Sequence, residues 1–65
     1  MKISYTYMDL FTVEYYHDGK IARVERSGAM LETVAEQAHK IAIDNSFNRV
    51  IIRRHNTGKT VAIIE

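Results

Sequence analysis

The sequence predicts a single α+β domain over residues 1–65, with a mainly antiparallel sheet of four to five strands in the order ββ(β)αββ. Two stretches, 11–26 and 49–65, each contain a short turn motif between two segments that read as strands, which is typical of β-hairpins. Between them, apolar residues recur at helical spacing. One helix of this kind covers only one face of a sheet, so the other face is expected to be open.

The first hairpin turns at Asp18-Gly19, a pair that suits a two-residue type I′ turn because both positions need positive φ. The turn predicts strands over about 10–16 and 20–26. Residues 2–8 either continue the first strand or form a separate one. We favour a break at Asp9, because Asp is poor within strands.

The same turn predicts a register for the first hairpin. In this register Val13 faces Val24 on an apolar side of the sheet. On the other side Glu14 faces Arg23, which makes a cross-strand pair of opposite charge.

A helix is predicted over about 28–44, where apolar residues share one face and polar residues the other. Ser27 is the expected N-cap, since its hydroxyl can accept a hydrogen bond from a free backbone N–H group. Asn45 can adopt the left-handed conformation that ends a helix. The alanines of this segment allow the helix to lie close to the sheet.

The second hairpin has predicted strands over about 49–55 and 59–64. Its loop, Asn56-Thr57-Gly58, fits a three-residue turn with Gly58 in the left-handed region. A two-residue Thr57-Gly58 turn is the alternative and would change the pairing. In the favoured register Arg49 faces Glu65 and Arg53 faces Val61.

Together the two registers divide the predicted sheet into a covered face and an open face. The residues expected to pack on the covered face are Phe11, Val13, Tyr15, Val24, Val50, Ile52 and Ile64, against Leu31, Val34, Ala38 and Ile41 of the helix. The residues expected on the open face are Tyr16, Ile21, Ile51, Val61 and Ile63, interleaved with Glu14, Arg23, Arg49 and Arg53. An apolar patch of this kind is typical of a contact surface.

Composition narrows the class of protein. The chain contains no cysteine, which favours a reducing, cytoplasmic setting. No apolar run approaches the ~20 residues that a membrane-spanning helix needs, so we predict a soluble protein without a membrane partner. The net charge of +1 argues against a general nucleic-acid binder.

No residue pattern in the chain indicates catalysis. Glu36 and His39 lie three residues apart on the polar helix face and supply at most two metal ligands. The segment Gly58-Lys59-Thr60 lacks the earlier glycine and the following helix of a phosphate-binding loop. We therefore predict that the protein is not an enzyme and uses no cofactor or metal.

Partner binding is the predicted activity. The residues expected to make the contact are Tyr16, Arg23, Arg49, Ile51, Arg53, Arg54 and Lys59. A protein partner is the leading hypothesis, while a homodimer through the open face and nucleic-acid binding by the basic second hairpin are the alternatives. Strand alternation sends Arg53 and Arg54 to opposite faces, which divides the basic cluster.

Four segments together resemble small accessory proteins of phages and mobile elements: GKIARVE at 19–25, AEQAHKIA at 35–42, NRVIIR at 48–53 and TGKTVA at 57–62. In such proteins, some anti-CRISPR proteins and phage inhibitors of host enzymes among them, a hairpin, an Ala-rich helix and a second hairpin are the whole molecule. The resemblance implies an inhibitor or regulator that occupies a site on a host macromolecule. It is one of architecture, and no functional residue is carried over from it.

Overall fold

The computed structural model describes residues 9–65 as one helix and a four-stranded antiparallel sheet. The elements are β1 (Asp9–His17), β2 (Lys20–Ala29), α1 (Leu31–Asn45), β3 (Arg49–Arg54) and β4 (Thr60–Ile64). The strand order in the sheet is β2-β1-β3-β4. The α+β class is therefore confirmed. Asp9 already pairs with β2, and the strand predicted over 2–8 lies outside the described residues.

The helix begins and ends later than the sequence predicts. Ser27 lies in β2 opposite Phe11, so the N-cap position belongs to Met30, which makes no side-chain capping bond. At the other end Asn45 is still helical, and its side-chain Nδ2 donates to the Ile41 carbonyl oxygen at 2.8 Å. Ser46 adopts the left-handed conformation instead, with φ 59°.

The first turn matches the prediction, but the register beyond it does not. Asp18 and Gly19 both have positive φ, at 50° and 82°. The pairing then shifts between Tyr15 and Tyr16, where Ala22 is an extra residue on β2. Such a β-bulge displaces every later pair by one position.

This bulge changes which face each β2 side chain occupies. Arg23 lies opposite Tyr15, on the side that α1 covers, and Val24 lies opposite Glu14, on the open side. Directly opposite residues in an antiparallel pair share a face. The predicted Glu14–Arg23 pair and the predicted burial of Val24 are therefore wrong.

The second hairpin is predicted correctly except near its loop. Gly58 has φ 72°, and residues 50–52 pair with β4 as expected. A second bulge places Arg53 opposite Thr60 rather than Val61. Val61, predicted for the open face, packs instead against the core.

The core lies between α1 and the central strands β1 and β3. Its buried residues are Phe11, Val13, Tyr15, Val34, Ala38, Ala42, Val50 and Ile52. Further apolar side chains at its margin are only partly buried, among them Leu31, Ile41, Phe47 and Ile64. The ring centroids of Tyr15 and Phe47 lie 5.3 Å apart, which joins the α1–β3 connection to the sheet.

Tyr15 also contacts a charged pair on β2. Its hydroxyl donates to Oε1 of Glu25 at 3.5 Å, and the Arg23 guanidinium lies 5.8 Å from its ring centroid. Arg23 forms an ion pair with Glu25 as well. Burial, and to a smaller degree the Glu25 charge, raises the pKa of Tyr15 above its ordinary value of 10.0.

Alkaline pH should therefore destabilise the fold through Tyr15. The pKa of Tyr15 is raised in the folded state. The contribution of Tyr15 to stability is therefore fully present below the unfolded-state pKa of about 10 and is lost as the pH rises through the folded-state pKa. We expect the free energy of unfolding, measured by urea denaturation between about pH 9 and 11, to fall more steeply for the wild type than for Tyr15→Phe. Parallel pH profiles for the two proteins would contradict this expectation.

Candidate partner-binding face

The open face is the side of the sheet turned away from α1. Its side chains come from alternate positions on each strand, except across the β2 bulge, because successive residues point to opposite sides. They are Leu10, Thr12, Glu14, Tyr16, Ile21, Val24, Arg26, Arg49, Ile51, Arg53 and Ile63. Within residues 9–65 no helix or strand lies over this face, since α1 packs on the opposite side through Val34, Ala38 and Ala42.

Large apolar side chains are exposed along the open face. The exposed fractions are 40% for Leu10, 53% for Ile21, 54% for Val24 and 58% for Ile63. Ile51 is partly buried at the centre, between Glu14 on β1 and Ile63 on β4. Single exposed aliphatics are common on protein surfaces, but a group of them on one face is typical of contact sites.

A polar network is fixed among these apolar residues. Oε1 of Glu14 accepts hydrogen bonds from Nε of Arg53 at 3.1 Å and from the Tyr16 hydroxyl at 3.2 Å. Nη1 of Arg53 donates in turn to Oγ1 of Thr60 at 2.8 Å. The carboxylate and the guanidinium therefore hold each other in place at the middle of the face.

Arg49 is also paired with a carboxylate. Its Nη2 lies 2.6 Å from Oε2 of Glu65, so the cross-strand pair that the sequence predicts is confirmed. Both arginines that β3 places on the open face thus have an acidic partner within the chain. The positive charge that this face offers to a phosphate group is correspondingly reduced.

The connection between α1 and β3 holds the turn end of the open face. The Asn48 backbone N–H donates to the Tyr16 carbonyl oxygen at 2.8 Å, and its side-chain oxygen accepts from the Asp18 backbone N–H. Nδ1 of His17 lies 3.2 Å from the Ser46 carbonyl oxygen. These bonds fix the positions of Tyr16 and of the neighbouring Arg49.

The structure brings four of the predicted contact residues together on this face, namely Tyr16, Arg49, Ile51 and Arg53. The placement predicted for Arg23 is wrong, because the bulge at Ala22 turns it toward Tyr15. Arg54 points to the covered side, 5.9 Å from the Phe11 ring centroid, as strand alternation predicts. Lys59 is exposed in the second hairpin loop.

Two apolar residues of the open face, Leu10 and Val24, are not among those that the sequence predicts for it. Leu10 has the same even parity along β1 as Glu14 and Tyr16, so alternation alone could have placed it. Val24 could not have been found in this way, because its position depends on the bulge. The open face is consequently more apolar than predicted, and it still carries three arginines, because Arg26 takes the place of Arg23.

The described residues also bear on metal binding and on membrane-spanning helices. The described residues include no group of three or more His, Cys, Asp or Glu side chains that could hold a metal ion. Of the helices in the described part of the chain, none is long and apolar enough to cross a membrane.

These features define a small α+β protein with one helix on one side of its sheet and an apolar, ion-paired surface on the other. No protein-family model, no curated protein and no solved structure matches the chain. The geometry of the open face is therefore the basis for assigning a function.

Proposed function

We propose that this protein is a non-enzymatic binding protein that uses its open face to occupy a site on another protein. One observation carries the proposal: exposed aliphatic side chains surround the fixed Glu14–Arg53 pair on a sheet face that no described element covers. Apolar side chains near the centre of an interface supply most of its affinity, and fixed polar groups set its orientation.

The pairing of charges favours a protein partner over a nucleic acid. Two of the three arginines on the open face, Arg49 and Arg53, already contact carboxylates, and Arg54 lies on the covered side of the sheet. Nucleic-acid affinity depends on cations that neutralise phosphates, and the chain as a whole carries a net charge of only +1. The partner surface that suits this face is apolar, with hydrogen-bonding groups opposite Glu14 and Arg53.

The resemblance to phage accessory proteins fits this role. The open face is a sheet surface that no described element covers, and binding over such a surface can block a site on a larger host protein. An inhibitor or regulator acting in the cytoplasm is consistent with a sequence that contains no cysteine.

The proposal is tested by capture of host proteins on three immobilised proteins: the wild type, Val24→Lys and Ile43→Lys. Val24→Lys places a charge on the open face, whereas Ile43→Lys places the same charge on α1 at a side chain that is 65% exposed. Lysate from the native host is treated with nuclease and the bound proteins are quantified by mass spectrometry. We expect at least one host protein to be captured by the wild type and by Ile43→Lys but not by Val24→Lys.

Other outcomes would identify a different function. If Val24→Lys retains the same proteins as the wild type, the open face is not the contact surface. If capture disappears with nuclease, and affinity for DNA falls with log salt at a slope of ~0.9 per phosphate, the nucleic-acid alternative is supported instead.

A further inference from the structure

The two edges of the sheet differ in their charge. β2 contains four charged residues among ten, whereas β4, with the sequence TVAII, contains none. Charged side chains on an edge strand oppose pairing with a further strand, and an apolar edge permits it. Among residues 9–65 no strand pairs with the outer side of β4.

The regular part of β4 is complementary to a second copy of itself. Residues 62–64 pair with β3 without irregularity, with Ile63 on the open face and with Ala62 and Ile64 on the covered side. A twofold axis through Ile63 would place the two copies of this residue opposite each other. The same axis would place Ala62 opposite Ile64 of the second copy, so that a small side chain lies beside a large one on a matching face.

A hollow on the helix side of this edge leaves room for the side chains that a second strand would place there. It has a volume of about 750 Å³ and lies between α1 and β4. Its lining consists of residues of α1 together with Ile64 of β4. A strand added to β4 would cover the outer side of Ile64, which is only partly buried in the single chain.

We infer that two copies of this chain pair through β4 in antiparallel orientation and form one continuous eight-stranded sheet. The pairing also joins the two open faces, because Ile51 and Ile63 of each copy then form one apolar stripe across the twofold axis. Association of this kind buries further apolar surface in a domain whose own core is small. The edge pairing does not rest on the proposed function, although it would enlarge the surface offered to a partner.

Disulfide trapping tests this inference, because the natural chain contains no cysteine. Opposite residues in an antiparallel pair have Cα atoms about 4.5–5.5 Å apart, which lies within the range that a disulfide requires. Ile63→Cys should therefore form a covalent dimer under mild oxidation at least about tenfold faster than free thiols at the same concentration. Ile21→Cys is the matched control, since Ile21 is similarly exposed on the same face but lies on the opposite edge.

Sedimentation velocity over concentrations up to about 1 mM gives a second measurement. We expect a concentration-dependent monomer–dimer equilibrium that Ile63→Lys abolishes and Ile21→Lys retains. Equal crosslinking of Ile63→Cys and Ile21→Cys would overturn the inference. A wild type that stays monomeric would overturn it as well. Loss of the dimer in Ile21→Lys would also overturn it and would indicate that the open faces stack on each other.

The two proposals can fail separately. If the wild type is monomeric at every concentration but the Val24→Lys variant loses a host partner, the β4 pairing alone is overturned. A dimer trapped through Ile63→Cys, with no capture that depends on Val24, would overturn the proposed partner binding alone.

Discussion

Ile52→Ala is expected to lower the free energy of unfolding by about 2–5 kcal/mol, the range measured for truncation of buried Ile and Leu side chains. Ile52 has an exposed fraction of 0% and lies on the covered face between Val13 on β1 and Ala62 on β4. Truncation to alanine leaves a cavity between α1 and the strands β1, β3 and β4. The neighbouring strands are held by their own pairing and can close it only in part.

The small size of the domain makes this loss severe. At about 0.05–0.15 kcal/mol per residue, a chain of this length has a total stability of roughly 3–10 kcal/mol. The substitution therefore removes a large share of the stability, and in the lower part of that range it unfolds the protein.

Urea denaturation followed by circular dichroism measures the effect. Ile21→Ala is the matched control, because it removes the same atoms from the same sheet at a residue that is 53% exposed and lies on the edge away from β4. We expect a loss of about 1 kcal/mol or less for the control. Similar losses for the two variants would show that Ile52 is not part of a cooperative core.

The elements that local chemistry determines are the ones that the sequence predicts well. Asp18-Gly19 and Gly58 adopt the positive φ that their turns require, and the helical spacing of apolar residues locates α1. Each of these signals depends only on residues that are neighbours in the chain, so an isolated segment already carries the information.

The ends of α1 show where local signals fail. Ser27 has the chemistry of an N-cap, yet its backbone pairs with Phe11 in the sheet. The first residues of β1 need hydrogen-bond partners, and the extension of β2 provides them. Competition between a cap and a strand pair is decided by tertiary structure, which the residues around position 27 do not reveal.

The two β-bulges account for the errors in the candidate site. Ala22 and Val61 are the extra residues, and each changes which face its neighbours occupy. Val24 and Val61 are the same residue type in the second strands of their hairpins, yet the first is exposed and the second packs against the core. Alternation cannot distinguish them, because a bulge depends on how the strand packs against its neighbours.

The polar network of the open face depends on strand order. Glu14 and Arg53 are 39 residues apart, and their contact requires β1 to lie beside β3. A hairpin prediction pairs each strand with its neighbour in the chain and assigns Glu14 to Arg23 instead. Given the order β2-β1-β3-β4, the register of β1 with β3 places Arg53 opposite Thr12, which makes Glu14 and Arg53 diagonal neighbours on one face.

Ile51→Ala is expected to weaken binding of the captured partner by about ten- to thirtyfold, which corresponds to about 1.4–2 kcal/mol. Ile51 lies at the centre of the open face, between Glu14 and Ile63. Truncation at the centre of an interface removes contacts that neighbouring residues shield from water, so its effect exceeds that of truncation at the rim. The fold should persist, because Ile51 is outside the buried core.

The affinity of the purified partner is measured by calorimetry for the wild type, Ile51→Ala, Arg53→Ala and Ile43→Ala. Ile43→Ala removes the same atoms from α1 and should bind as the wild type does. Arg53→Ala leaves the Glu14 carboxylate without its guanidinium on a partly buried face, so it should also weaken binding. Normal affinity for both Ile51→Ala and Arg53→Ala, with unchanged circular dichroism spectra, would show that the partner contacts a different surface. Neither the apolar centre nor the fixed ion pair would then contribute to recognition.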